Sequence, residues 1–510
     1  MLFNSTVFLF IFLPISLLVY FCVGRKNGAT ARVLLALLSL LFYAYWDWQF
    51  VPLLLGSIIV NYVAGVRISK LINSSQLPEA KSNLIIGLTF NLALLFYFKY
   101  TNMIVASFES WTGLNAGVSN IILPIGISFF TFTQIAFLVD AYQKKVSEYK
   151  FWDYALFVSY FPHQIAGPIL HHKEMMGQFT KQLITKFDVQ NFAVGASILV
   201  VGLAKKVLLA DPIATFADPV FSNAGMGVTP TFIEAWGATL AYALQLYIDF
   251  SAYCDMAIGI SFMFGIRLPI NFNSPYKATS IIDFWRRWHI TLSRFLREYL
   301  YIPLGGNRSG HLRRYLNLMV TMALGGLWHG ASWTFLIWGV LHGVYLTINH
   351  LWRSYFYERH NIAVHPLLGW LITFIAVLIG WVFFRAVNFT SALLMLQSML
   401  GFAGVAVPHA MIDFLGPRWP LIGSEVWSGE LGGIRAILFI LVVLAGVLAM
   451  PNTQQIFQSF NPSLDKVQEG KASVSFAWSP NILWILTISV LLALSLNRLG
   501  SDSTFLYFNF

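Results

Sequence analysis

Five apolar stretches follow one another in the first third of the chain, at residues 2–22, 33–46, 51–66, 84–100 and 121–142. A run of about 20 apolar residues crosses the hydrocarbon core of a bilayer as a helix, and shorter runs do so when merged with their flanks. Lipid offers no water to a backbone N–H or C=O, so each spanning segment must satisfy its own polar groups, which a helix does. Further apolar stretches at 192–209, 232–264, 316–327, 333–351, 367–384, 434–450 and 482–496 extend the pattern to the far end. Hydrophobic residues make up 57% of the 510 and charged residues 11%, too few charges to clothe a soluble surface. The expected fold is therefore all-α and polytopic, with about ten to twelve transmembrane helices. The stretch 154–170 is interrupted by Pro162, Gly167 and Pro168 and carries His163, so it is expected to be re-entrant or buried.

The net charge of +10 has a topological explanation. Arg25, Lys26 and Arg32 follow the first stretch, Arg67, Lys70 and Lys81 the third, and Lys144, Lys145 and Lys150 the fifth, whereas 47–50 and 101–120 contain neither lysine nor arginine. By the positive-inside rule the basic loops are cytoplasmic and the N-terminus lies outside; no nucleic-acid partner is needed to account for the charge. The first stretch has no preceding basic residue and no small-residue cleavage site, so it reads as a retained span. Residues 1–510 are read as one integral membrane domain, with N-terminal helices at 1–150, a core at 151–350 and C-terminal helices at 351–510. Residues 391–428 and 459–479 are the least membrane-like parts, the second a polar loop. Cys22 and Cys254 lie far apart in apolar surroundings and suggest packing rather than a disulfide or metal pair.

Residues 283–299, DFWRRWHITLSRFLREY, give the clearest amphipathic pattern. On a helical wheel Phe284, Trp285, Trp288, Leu292, Phe295, Leu296 and Tyr299 share roughly a third of the circumference, Arg286, Arg287, Arg294 and Arg297 lie opposite, and His289 falls at the edge. One continuous helix lying flat at the cytoplasmic interface is expected, with Asp283 at its N-terminal end. Its arginines fit two tasks, gripping anionic lipid or holding the phosphates of a coenzyme.

A second stretch, GGLWHGASW at 325–333, places His329 inside apolar sequence. An ionisable side chain at membrane depth is a functional candidate, and a neutral imidazole can accept a hydroxyl proton as that oxygen attacks a carbonyl. A histidine satisfied by a backbone carbonyl is the competing reading. Gly325, Gly326 and Gly330 would let either a substrate or another backbone approach, and Trp328 and Trp333 would wall the site. His342, in an unbroken apolar run, reads as structural; His171 and His172 read as a solvent-facing or headgroup-level pair. No cluster has metal-ligand spacing. Arg385 reads as an anchor or structural ion-pair partner.

These motifs, together with LPIGISFFTFTQIAFLVDAY (123–142), YFPHQIAGPI (160–169), GWVFFRA (380–386), MPNTQQI (450–456) and FLYFNF (505–510), resemble the membrane-bound O-acyltransferase superfamily, and within it the bacterial alginate O-acetylation branch. The resemblance implies a helical domain around a central funnel or tunnel, with His329 as catalytic base and His289 as the second motif histidine. It implies acetyl transfer from cytoplasmic acetyl-CoA, with no permanently bound cofactor and no metal. The donor would be held by Arg286, Arg287, Arg294 and Arg297, with Trp288 and Trp328 beside it. The acceptor would be an exopolysaccharide, reached directly or through a periplasmic polysaccharide acetyltransferase partner, with lipids around the chain in the bacterial inner membrane. A lipid, protein or teichoic-acid-like acceptor is the alternative within the class. A transporter is the alternative outside it, but the sequence has neither the intramembrane charge relay nor the inverted repeat expected of one.

Overall fold

The computed structural model describes residues 1–118, 120–146, 150–181, 187–308, 310–406, 429, 431–465, 476–500 and 505–506. Among them the regular structure is helical, and one isolated β-bridge pairs Leu268 with Ser463. A π-turn at Phe8–Phe12 runs into α1 (Leu13–Gly24), followed by α2 (Gly28–Asp47) and α3 (Val51–Asn73). Next come α4 (Leu77–Leu95), a second π-turn at Phe96–Tyr100 and α5 (Thr101–Thr112). The core holds α6 (Ile127–Tyr142), α7 (Phe151–Ser159), α8 (His172–Lys181), α9 (Val189–Ala204), α10 (Asp211–Gly225) and α11 (Phe232–Met263). Two short helices, α12 (Ile281–Arg287) and α13 (Ile290–Leu296), precede the hairpin of α14 (His311–His329) and α15 (Trp333–Trp352). Helices Pro366–Arg385, Phe389–Met399, Ile434–Ala449 and Ile482–Asn497 complete the described part.

Four continuous helical stretches are long and apolar enough to cross a membrane, Gly28–Asn73, Leu77–Thr112, Val189–Gly225 and Pro366–Arg385, and five shorter apolar helices accompany them. The chain is thus a multi-pass, all-helical membrane protein. Local signals explain the breaks. The Asn27 side chain accepts from the amides of Ala29 and Thr30 at the start of α2, and Asp47 accepts from Gln49 where the chain turns toward α3. Residues 160–170 form a non-helical turn buried within the protein, as the prolines and glycine require. There His163 Nε2 lies 3.0 Å from the carbonyl oxygen of Phe157, a structural role.

Small residues let the helices touch. A methyl group on Gly195 of α9 would come within 2.5 Å of the Gly259 carbonyl oxygen of α11. The same holds between α14 and α15, where a Cβ on Gly326 would meet the Phe335 carbonyl oxygen at 2.2 Å. Buried charges are mostly paired. Lys206 bonds Asp211 and Asp249, each at 2.8 Å, and Arg385 bonds Asp218 at 2.7 Å, the structural role expected of it. Asp255 holds the 450–456 motif by accepting from Thr453 Oγ1 at 2.6 Å and Gln454 Nε2 at 3.0 Å. Of the terminal FLYFNF motif, Phe505 is buried and the Leu506 amide donates to Asp249 at 2.7 Å; 507–510 lie outside the described residues, as do 407–428 and 466–475 of the two less membrane-like regions.

The expectation of one interfacial helix over 283–299 is overturned. α12 ends at Arg287, Trp288 is extended, and His289 takes φ 42°, ψ 54° before α13 begins. A left-handed conformation costs a non-glycine residue about 1–2 kcal/mol. Asn271 over-determines it by accepting the Ile290 amide on its backbone carbonyl at 3.0 Å and the Thr291 amide on its side chain at 3.1 Å. The aromatic face therefore does not lie in lipid: Phe284, Trp285, Trp288, Leu292, Phe295 and Leu296 are all buried in protein.

Candidate active site

α14 ends on His329 because Gly330 adopts an extended backbone, with φ −161° and ψ 150°. The imidazole is boxed by rings, with centroids at 5.1 Å to Trp328, 5.1 Å to Trp338 and 5.2 Å to Phe384. Of the glycines around it, one meets a second backbone and two meet side chains. Gly326 lies against α15, Gly330 against the Phe335 ring, and a Cβ on Gly325 would meet the Leu296 Cδ1 atom at 3.0 Å.

The kink at Trp288–His289 turns His289 inward, where it is fully buried with its ring centroid 6.1 Å from that of His329. The wheel had put His289 at the cytoplasmic rim; the left-handed residue breaks the wheel and swings it into the core. Its Nδ1 lies 3.1 Å from Asn271 Oδ1, which also accepts from the Thr291 amide and hydroxyl. An amide oxygen only accepts, so Nδ1 carries the proton and Nε2 is the lone-pair nitrogen of the neutral ring.

His329 lines a cavity of about 180 Å³ whose other walls include Trp46, Lys99, Pro124, Ser128, Phe129 and Trp328. Trp46 and Leu123, also on its wall, are partly exposed, at 37% and 39%. The cavity therefore meets the surface at the end of the bundle whose connections, 47–50 and 101–120, contain no lysine or arginine. Its described wall does not include His289. Toward the basic end the space is filled by a ladder of rings, Trp328 to Phe132 at 5.1 Å, Phe132 to Phe295 at 4.1 Å, and Phe295 to Tyr299 at 5.0 Å.

The four arginines do not form one face. Arg287 donates to Asp283 at 2.9 Å, and Arg294 grips both Glu174 oxygens at 2.9 Å while donating to His171 Nε2 at 2.9 Å. Arg286 and Arg297 are exposed, one on α12 and the other just past α13. Of the two tryptophans, Trp328 lines the cavity, whereas Trp288 packs among Phe272, Phe284 and Trp381. His171 and His172 are buried rather than solvent-facing. His171 Nδ1 lies 3.2 Å from the Tyr299 hydroxyl, which donates to Asp140 at 3.0 Å. Burial, with Arg294 and Lys145 nearby, pushes the His171 pKa down to about 3. His342 is fully buried against Trp338 and Trp285. Among the described residues no cluster of three histidine, cysteine or carboxylate side chains is arranged to hold a metal.

Two site residues escaped the sequence reading. Asn271 looks like one more polar residue in a loop. Lys99 sits at the edge of an apolar stretch, where a lysine ordinarily snorkels to the interface; instead it is buried against the end of α14. Its only signal was that the following connection carries no other basic residue.

The arrangement is compatible with acyl transfer: His329 lines a cavity that reaches the surface, and a second imidazole stands beside its own. Comparison with known proteins bears on the class. Residues 40–393 match the membrane-bound O-acyltransferase family. The chain is 42% identical to the peptidoglycan O-acetyltransferase of Helicobacter pylori, covering 100% of this chain and 98% of that protein. It is 43% identical to the probable alginate O-acetylase AlgI of Pseudomonas aeruginosa over 90% of this chain and 82% of that one. A teichoic acid D-alanyltransferase of Streptococcus thermophilus is 25% identical over 52% of this chain and 69% of its own length.

Proposed function

The chain belongs to the membrane-bound O-acyltransferase family and is a membrane acyltransferase, and on that premise we propose that it transfers acetyl from acetyl-CoA to a sugar hydroxyl of a cell-envelope polysaccharide, with His329 as general base. The observation that carries this reading is the pairing of His289 and His329, 6.1 Å apart, with His329 on the cavity wall. As the acceptor oxygen attacks the thioester carbonyl, its proton passes to a ring nitrogen of His329. The C–O bond forms, the C–S bond breaks, and the coenzyme leaves as a thiolate that takes the proton back from the imidazolium. His289 steadies the charge developing on the carbonyl oxygen or orients the donor.

The positive-inside pattern supports a topology with the lysine-poor end and the N-terminus outside, and in a bacterial inner membrane that end faces the periplasm. The acceptor then enters the cavity past Trp46, directly or carried by a periplasmic partner protein. The donor comes from the basic end, where exposed Arg286 and Arg297 meet its phosphates. For its acyl group to reach His329 the rings between Trp328 and Tyr299 must part. An alginate-like exopolysaccharide is the first acceptor class; the end-to-end likeness to a peptidoglycan O-acetyltransferase supports a peptidoglycan sugar as the second. Both present a hydroxyl, and identifying the acetylated polymer separates them. His329→Ala protein that inserts normally is expected to lose acetyl transfer; an undiminished rate rules out the mechanism.

A further inference from the structure

Lys99, Lys205 and Lys206 reach into the bundle, and Lys99 is held differently from the other two. Lys205 bonds Asp255 at 2.9 Å, and Lys206 bonds Asp211 and Asp249. Lys99, 6% exposed, is held by neutral oxygens: Ser128 Oγ at 3.2 Å, the His329 carbonyl at 3.3 Å, and the Trp328 carbonyl. A buried ammonium without a carboxylate is expensive, so its place in the fold needs a reason.

The reason lies in what it holds. The last four carbonyls of a helix have no partner within it, and together they present about half a negative charge. At the end of α14, Lys99 takes the carbonyls of Trp328 and His329, and its neighbour Tyr100 donates to that of Leu327 at 2.9 Å. Both donors come from the widened π-turn at Phe96–Tyr100, which aims two consecutive side chains at one helix end. An ammonium has three N–H donors, and three oxygens surround this one. Lys99 also lines the His329 cavity and stands 5.9 Å from the Trp328 ring centroid.

We propose that Lys99 is a positioning residue for His329: by capping α14 at the carbonyls of Trp328 and His329, it sets where the imidazole stands. This rests on the reading of His329 as the base. With its donors engaged by protein oxygens, Lys99 acts through His329 rather than on the acyl group. Its removal leaves the carbonyls unbonded and lets the last turn of α14 shift, and misplacement by about 1 Å can cost on the order of 100-fold in rate.

The test uses the full chain in inverted membrane vesicles supplied with acetyl-CoA, following release of free coenzyme thiol, with folding checked by size-exclusion chromatography after detergent extraction. Lys99→Met is expected to lower kcat on the order of 100-fold, with KM for acetyl-CoA moving less than about twofold, and Lys99→Arg is expected to restore at least about a tenth of the wild-type rate. A Lys99→Met rate within about threefold of wild type overturns the proposal, as does a Lys99→Arg rate no better than that of Lys99→Met. Should Lys99→Met fail to fold, Tyr100→Phe removes only the Leu327 bond. A fall of about 2- to 10-fold at unchanged KM supports the cap, and an unchanged rate overturns it. His329→Ala runs in parallel; if it keeps full activity the acyl-transfer mechanism fails, independently of the outcome for Lys99.

Discussion

Asn271 holds His289 and the residue after it: the Asn271 side chain takes the His289 Nδ1 proton at 3.1 Å, and its backbone carbonyl takes the Ile290 amide at 3.0 Å. One asparagine therefore sets both the tautomer of the buried imidazole and the backbone break that carries it inward. Asn271→Ala is expected to lower acetyl transfer at least about tenfold, since both His289 and the Thr291 donors lose their acceptor, each orphan costing about 1–3 kcal/mol. Steady-state rates alongside melting midpoints check this; wild-type values for both would show that Asn271 orients nothing.

The two glycines of α14 differ in what they pack against. Gly326→Ala drives a methyl group into the Phe335 carbonyl oxygen, which cannot yield without moving α15, and should cost about 1–3 kcal/mol or more. Gly325→Ala meets only the end of the Leu296 side chain and gains about 0.5–1 kcal/mol in helix propensity, so it should be close to neutral. Melting midpoints of the two variants in one detergent are compared, and equal losses would contradict this packing.

The arginines should divide by partner. Arg294→Gln breaks the two-pronged grip on Glu174 and the bond to His171, and at partly exposed positions this should cost about 1–2 kcal/mol. Arg286→Gln and Arg297→Gln should leave the stability within about 0.5 kcal/mol of wild type and raise KM for acetyl-CoA several-fold, more at low salt than at high. If only Arg294→Gln raised KM, the donor would be held at the Glu174 network instead.

His171 gives the chain an acid-sensitive joint. Its folded pKa of about 3 lies below the ordinary value of 6.5, so the unfolded chain binds a proton there that the folded chain refuses. The stability tied to its neutral form is complete above pH 6.5 and is lost as pH falls from 6.5 toward 3. His171→Asn should therefore flatten the fall of melting midpoint between pH 6.5 and 4.5. An unchanged slope would mean that other groups dominate acid sensitivity.

How far the site could be read in advance depended on how local each signal was. His329 announces itself because an imidazole in apolar sequence is rare enough to question. The break at 160–170 is equally plain, since Pro162, Gly167 and Pro168 within seven residues free backbone groups that lipid cannot satisfy. The wheel over 283–299 misleads for the opposite reason. Every residue in it is compatible with a helix, and nothing within the segment reveals that Asn271, from another loop, will hold His289 in a left-handed turn.

Helicity and membrane residence were settled by the amino-acid sequence, because both depend on apolar length and on backbone groups that must pair within their own segment. The company that His329 keeps was decided only by tertiary packing. Lys99 lies 230 positions from the carbonyl it holds, and His289 comes within 6.1 Å of His329 only after a kink and a helix hairpin have both formed. No periodicity carries contacts at that range; they arise from which helices can approach closely enough to share a core.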